Sequence, residues 1–320
     1  MPSILAAGIG GDRERWADPL CEGPIHPWTA DLDRRRERGV YLAHRYFYAY
    51  GEVFLNLGIQ DHVVDDAGIY QETVLWLEHD LFDQMILVFL LNRLAPLVKE
   101  QKVSLISIDR YPGVERFIGL GQLGPDQLRD LFPTRVVVER DQVAVAARTW
   151  KALASPTPKA LSGLFKTDLT PLPFLAAALR RYLAEYPSVE NGLGRTERMA
   201  LEAIRDGAGT PAEAFVAVQQ REENPYQGDA MFYAIVRDLA RGSFPLITSS
   251  LPRFASLRDD RLAGAPISLT STASEVLSGR EDWFRIYGVS KWIGGVHFMG
   301  PAPTWRWDEG AGKVVDRSRA

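Results

Sequence analysis

The sequence predicts an α/β fold: a Rossmann-like amino-terminal parallel sheet followed by a mostly α-helical carboxyl-terminal half. A short apolar run, residues 74–77, precedes a helical pattern of about 18 residues, as in a buried parallel strand that feeds a helix. A second strand, predicted over residues 103–111 and ending at Asp109, follows that helix and completes a βαβ unit. Three short helices and a hairpin-like segment after residue 195 follow the order of a winged helix.

Composition limits the classes of partner that the chain can have. Its 320 residues are 46% hydrophobic and carry a net charge of −4, which gives no general attraction to nucleic acid or anionic membranes. The single cysteine, Cys21, excludes a disulfide framework and a multi-thiolate metal site. The sequence has neither a membrane-length apolar run nor a basic leader at its start. We therefore predict a cytoplasmic protein that does not associate with membranes.

Before the central strand, the pattern predicts a short helix ending at Gly8 and a strand over residues 13–17 that ends at Asp18. The loop over residues 18–27 holds three prolines and one glycine, so we expect it to be rigid and to bring Asp18, Glu22 and His26 together. A helix is predicted over residues 31–50 and a polar connection over residues 61–66. The basic side chains in the first half of this helix are Arg34, Arg35, Arg36 and Arg38. We interpret them as a solvated face, because acidic residues lie among them.

Carboxylates collect where the predicted strands end, which is the edge of an open α/β sheet where ligands bind. Neighbouring carboxylates repel one another unless a proton or a hard cation such as Mg²⁺ lies between them. Mg²⁺ is thus the expected cation if the cluster holds a metal. We predict Glu78, His79 and Asp80 as catalytic residues, Asp18, Glu22 and Asp109 as cofactor-binding residues, and Asp18, Asp80 and Asp109 as metal ligands.

A purely architectural interpretation of the same residues stays open. Asp80 is a natural N-cap for the helix predicted over residues 81–99, and Asp83 then occupies its third position, where both carboxylates face the positive end of the helix dipole. Regular strand alternation puts Glu78 and Asp80 on one face and His79 on the other, so only an early strand end would bring them together. The glycine-rich segment 119–124 lacks the spacing of a phosphate loop.

After residue 125 the pattern becomes helical, and we predict three domains: the α/β domain (1–135), a helical connector (136–194) and a winged-helix-like domain (195–320). The three helices of the last domain have start signals at Thr196, Thr210 and Asp229. That domain contains 16 basic and 16 acidic residues, and its third helix offers only Arg237 and Arg241 at its far end. DNA binding is therefore disfavoured against a protein-contact or structural role.

Several segments together resemble a family of uncharacterised bacterial proteins: W-A-D-P-L-C-E-G-P, W-L-E-H-D-L-F-D-Q, S-I-D-R-Y-P-G-V-E, G-L-G-Q-L and G-L-G-R-T-E-R-M-A-L-E-A. The amino-terminal domain of that family has no assigned function, so the resemblance implies no activity. Its members generally begin with one more strand and an Asn-Gly-Asp turn. The resemblance therefore implies that the first strand of the sheet is missing here, together with any ligand contact from that turn.

The sequence leaves two functions open. The first is an enzyme that acts on a phosphate- or nucleotide-containing small molecule through the acidic and histidine residues at the strand ends. The second is a non-enzymatic regulator, in which the α/β domain binds a small effector and the winged-helix-like domain contacts a protein or nucleic acid. Oligomeric state is not predicted.

Overall fold

The computed structural model describes residues 2–27, 32–249, 261–288, 290–301 and 304–317. Its helices are α1 (Pro2–Ala6), α2 (Leu32–Tyr46), α3 (Tyr50–Asp65), α4 (Leu81–Arg93), α5 (Ala95–Lys99), α6 (Pro125–Leu131), α7 (Arg140–Leu153), α8 (Lys159–Leu164), α9 (Leu175–Leu183), α10 (Arg195–Arg205), α11 (Pro211–Arg221), α12 (Asp229–Leu239), α13 (Ser271–Leu277) and α14 (Trp283–Tyr287). Its strands are β1 (Gly23–Pro24), β2 (Thr73–Trp76), β3 (Val103–Ile106), β4 (Val136–Val137), β5 (Ile247–Ser249), β6 (Ile267–Leu269), β7 (Ser290–Gly294), β8 (Val296–Met299), β9 (Trp305–Asp308) and β10 (Lys313–Asp316). The fold is mixed α/β, as the sequence predicts.

The predicted βαβ unit is confirmed. Strands β2 and β3 pair in parallel, with Thr73 opposite Val103, and α4 lies between them in the chain. Residues 84–91 of α4 are all buried, as expected of a helix packed inside a larger body. The sheet is nevertheless mixed, because β4 joins β3 antiparallel and gives the order β2-β3-β4.

The predicted helix 81–99 is two helices, and the reason is local. Helix α4 ends at Arg93, and α5 begins at Ala95 with Pro96 in its first turn. Proline has no N–H for the bond to the carbonyl four residues earlier, and its ring crowds that carbonyl. The chain therefore breaks at Leu94 instead of continuing.

Two further predictions in the amino-terminal third are wrong. Residues 13–17 form no strand, and the side chain of Trp16 instead packs on Phe89 of α4, with ring centroids 5.1 Å apart. The predicted connection 61–66 is the second, because most of it belongs to a further helix, α3. Asp61, 4% exposed, forms an ion pair with Arg34 of α2 there, so this acid is part of the interior and not of a polar connection. The predicted helix 31–50 is confirmed as α2, which ends four residues early, and Asp31 lies outside the described residues.

The solvated face predicted for the α2 arginines is also wrong for two of the four. Arg34 and Arg38 are 2% and 1% exposed. Arg38 donates to the carboxylate of Asp18, whose side chain is fully buried, and Arg34 lies 3.7 Å from the other oxygen of that carboxylate. The basic run is therefore half interior ion pairs, which a helical pattern alone does not reveal.

Residues far apart in the chain share two large hydrophobic cores. One core combines residues between Leu20 and Tyr186 with a later set that includes Ile293 and Phe298. Strand β1 explains this, since it pairs in parallel with β7, with Gly23 opposite Ile293. The second core lies between Leu193 and Trp283, among helices α10–α13 and strands β5 and β6. The predicted domain boundaries stay a prediction.

Within the described residues, no helix is long and apolar enough to cross a membrane.

Candidate functional site

Three carboxylates meet at the carboxyl end of β2. Strand β2 ends at Trp76, two residues before Glu78, so the chain leaves strand geometry before the acids begin. One oxygen from each of Glu78, Asp80 and Asp83 lies within 4.8 Å of the others, and this is the one such acidic group in the part of the chain that the structure describes. We call these three residues the carboxylate cluster.

Backbone hydrogen bonds fix the cluster. Asp80 caps α4, with Oδ1 accepting from the Asp83 N–H at 3.0 Å, as the sequence predicts. Asp83 in turn accepts from the Glu78 N–H at 2.5 Å, and Glu78 Oε1 accepts from the Leu120 N–H at 2.6 Å. Each carboxylate is thus held by a backbone amide before any ligand arrives.

The glycine-rich segment 119–124 makes room for the Glu78 carboxylate of this cluster. A Cβ atom added at Gly119 would lie 2.1 Å from Glu78 Oε2, so no side chain fits there while Glu78 keeps its position. The segment therefore holds a carboxylate of the protein itself. Its sequence spacing gave no such signal, because the partner, Glu78, lies some forty residues earlier.

Burial makes it costly to ionise the cluster. Burial, and next the charge of Asp83, raises the pKa of Glu78 to about 7. Burial likewise raises the pKa of Asp80 well above its ordinary range, with the charges of Asp83 and Glu78 adding to it, and burial raises the pKa of Asp83. Such a cluster gains from taking up either a proton or a cation.

The unfolding free energy of the cation-free protein is expected to fall as the pH rises from about 4.5 to about 7. Glu78 binds its proton more tightly in the folded chain than at its ordinary pKa of 4.5, so its stabilising contribution is complete below that value and is lost through about pH 7. Urea unfolding of the wild type and of Glu78→Gln at about pH 5 and about pH 8 measures this. Glu78→Gln should lose the fall in unfolding free energy between these two pH values, and the control Glu281→Gln, at an exposed position, should keep it. The same fall in Glu78→Gln as in the wild type would contradict the expectation.

His79 lies beside the cluster in an aromatic environment. It is 7% exposed, and its ring centroid is 6.0 Å from those of Phe117 and Phe174. Its Nε2 lies 3.1 Å from Asn224 Oδ1, while Nδ1 is buried without a hydrogen-bond partner. An Nε2–H tautomer that donates to Asn224 leaves Nδ1 as a proton acceptor. Sequence reasoning missed Asn224; its one local signal is the Asn-Pro turn after α11.

The other predicted site residues lie outside the cluster. Asp18 faces Arg38 and Arg34, and the carboxylate of Glu22 accepts from the hydroxyl of Tyr46. The Asp109 carboxylate pairs with Arg110 at 3.0 Å, which lowers the pKa of Asp109. The structure therefore groups Asp80 with Glu78 and Asp83, whereas the predicted metal set joins it to Asp18 and Asp109. The roles assigned to all these residues stay predictions.

No protein-family model matches the chain. No curated protein matches it at a significant level either. The resemblance to uncharacterised bacterial proteins therefore stays a prediction.

Two substitutions of Asp80 are expected to separate the effect of its capping hydrogen bond from the effect of its charge. Asp80→Ala removes the cap of α4 and should cost about 1 kcal/mol of unfolding free energy. Asp80→Asn keeps a capping oxygen and removes a charge that the buried neighbours disfavour, so in the absence of cations it should be at least as stable as the wild type. Urea unfolding of both variants measures this. Equal losses in the two variants would contradict it.

Proposed function

We propose that the chain is an enzyme that uses a divalent cation such as Mg²⁺ on a phosphate- or nucleotide-containing small molecule. The observation that supports this proposal is the carboxylate cluster, with Glu78, Asp80 and Asp83 within 4.8 Å at the carboxyl end of a parallel strand. That end of an α/β sheet is where ligands commonly bind.

The donor set suits a hard cation. Mg²⁺ prefers oxygen ligands, keeps several waters and is commonly held by one or two carboxylates together with substrate phosphates. Three half-buried or buried carboxylates that repel one another gain from such an ion, and their backbone hydrogen bonds orient them in advance. A bound cation would neutralise phosphate charge and lower the pKa of a coordinated water.

The neighbouring side chains suit proton transfer. His79 is the candidate acid or base, because its hydrogen bond to Asn224 selects a tautomer whose Nδ1 accepts a proton. Phe117 and Phe174 flank its ring and keep bulk water from it. Glu78 and Asp80, both predicted as catalytic, act in this proposal as cation ligands.

Calorimetric titration with MgCl₂ and MnCl₂ at low salt tests the proposal. The wild type is expected to bind one ion per chain, and Glu78→Gln and Asp83→Asn are expected to weaken binding by at least about tenfold. Asp126→Asn is the matched control, since its side chain is 87% exposed. Absence of ion binding by the folded wild type would reject the cation-dependent function.

The same titration of Asp109→Asn separates the two possible ligand sets. If the cluster is the site, this variant binds like the wild type, because its carboxylate pairs with Arg110 on the surface. Loss of binding in Asp109→Asn with retention in Asp83→Asn would favour the ligand set predicted from sequence.

A second candidate function, a non-enzymatic regulator, is supported by the order of elements in the carboxyl-terminal half. Helices α10, α11 and α12 precede the antiparallel pair β5 and β6, as in a winged helix. For the first domain, the parallel pair β2 and β3 around α4 supports a Rossmann-like arrangement. Arg237, however, is 4% exposed and donates to the Arg45 carbonyl, and it stacks with Arg241 on Phe47. These contacts disfavour phosphate binding by α12.

Retention of the protein on immobilised double-stranded DNA distinguishes the two functions. The enzyme proposal expects none at physiological salt. Salt-dependent retention that Arg241→Ala weakens would favour the regulator.

A further inference from the structure

A cavity of about 190 Å³ lies at the carboxyl end of β3, next to the carboxylate cluster. Its walls are formed by the end of β3, the first turns of α4 and α7, and the segment before α9. Most of the wall is apolar, with Leu87, Leu105, Ile106, Ile108, Leu172 and Phe174 among the lining residues. The part of the lining that belongs to β4, Val136, is 58% exposed, so the cavity opens to solvent on that side.

Four polar residues line the same cavity: Thr134, whose hydroxyl donates to the Leu131 carbonyl at 2.8 Å, and Ser107, Gln84 and Gln142, which have donors left over. The Ser107 hydroxyl is buried and has no partner. Gln84, 1% exposed, donates one side-chain N–H to the Glu78 carbonyl at 2.8 Å, so its second N–H and its side-chain carbonyl oxygen can bond a ligand. Gln142 accepts from the Glu139 N–H at 2.8 Å, which leaves its amide donors. A buried hydroxyl without a partner costs free energy unless a ligand or water satisfies it.

We propose that this cavity binds the base of a nucleotide. An apolar cavity of about 150 Å³ accepts a benzene ring, so about 190 Å³ fits one heteroaromatic ring with its substituents. Apolar walls suit the faces of such a ring. One hydroxyl and two carboxamides suit its polar edges, because each offers a donor, an acceptor or both at a fixed position.

The position of the cavity relative to the cluster supports a nucleotide as the whole ligand. Gln84 lines the cavity and also holds the backbone of Glu78, and Phe174 lines the cavity and also packs against His79. A base in the cavity would therefore contact two residues that also contact Glu78 and His79. This inference rests on the proposed function for its substrate class, whereas the pocket itself is tested without cation or phosphate.

Titration with adenosine, guanosine, cytidine and uridine in the presence of EDTA tests the pocket. We expect at least one nucleoside to bind the wild type one to one, with a dissociation constant below about 1 mM. Ser107→Leu fills the cavity and should weaken binding by at least about tenfold, and Ser107→Ala, which removes only the unpartnered hydroxyl, should weaken it by about threefold or more. Ser274→Leu, at an exposed position of α13, is the control and should bind like the wild type.

Two outcomes would overturn the proposed binding pocket. The first is that no nucleoside binds the wild type at about 10 mM ligand. The second is that neither Ser107 variant weakens binding although circular dichroism shows that both are folded. If Ser107→Leu does not fold, Ser107→Ala alone decides. Nucleosides carry no phosphate and EDTA removes cations, so the results separate. Cation binding without nucleoside binding rejects the pocket alone, and nucleoside binding without a cation site supports the pocket and rejects the cation-dependent function.

Discussion

Replacing Arg38 by methionine is expected to lower the free energy of unfolding by about 3–5 kcal/mol. The guanidinium is 1% exposed and donates to the Asp18 carboxylate, to the Glu22 carbonyl at 2.7 Å and to the Pro19 carbonyl at 3.2 Å. Methionine fills much of the same volume but leaves the buried carboxylate with only Arg34, whose nearest nitrogen is 3.7 Å away. The large cost is that of an uncompensated buried charge.

Urea unfolding of three variants checks this expectation. Arg36→Met lies on the same helix, but its side chain is 58% exposed and its partner Asp33 is also exposed, so its effect should stay within about 0.5 kcal/mol. The double variant Arg38→Met with Asp18→Asn removes both charges and should recover part of the loss. If Arg38→Met costs less than about 1 kcal/mol, the interior ion pair is not what holds the 18–27 loop to α2.

Replacing Gly119 by alanine is expected to weaken Mg²⁺ binding by about 10–100-fold, the usual effect of disturbing a residue that orients a metal ligand. The new Cβ would lie 2.1 Å from Glu78 Oε2, so the carboxylate has to move. That movement breaks its 2.6 Å bond from the Leu120 N–H and takes Glu78 out of the cluster.

Gly121→Ala is the matched control for Gly119→Ala. It makes the same chemical change two residues away, where an added Cβ has no atom within 4 Å. It should bind Mg²⁺ like the wild type when both variants are titrated by calorimetry. Equal affinities for the two variants would mean that the Gly119 segment does not position a cation ligand.

The sequence predicted the parts of the site that depend on local pattern. The strand–helix–strand unit and the Asp80 cap follow from apolar runs, a helical period and a capping residue, all between residues 73 and 106. The pairing of Gly23 with Ile293 and the contact of Gly119 with Glu78 depend on residues that only the folded chain brings together. No local sequence pattern indicates either of these two contacts.

Asp83 shows the same limit within a single helix turn. Its position as the third residue of α4 explains it as a dipole partner, and that interpretation is compatible with the structure. Its membership of the cluster depends on the Glu78 backbone turning back, with its N–H on the Asp83 carboxylate. The predicted strand at residues 13–17 is wrong for a related reason, since Trp16 packs on Phe89 of α4, a contact that no local pattern indicates.

Anomalous diffraction from crystals of the protein soaked in MnCl₂ tests the central claim most directly. The proposal expects one strong manganese peak at coordination distance, about 2.0–2.3 Å, from oxygens of Glu78, Asp80 and Asp83. The peak should be absent from Glu78→Gln crystals treated in the same way. A wild-type map with no peak at the cluster, or with manganese only at exposed carboxylates such as Asp109, would contradict a cation site at the end of β2.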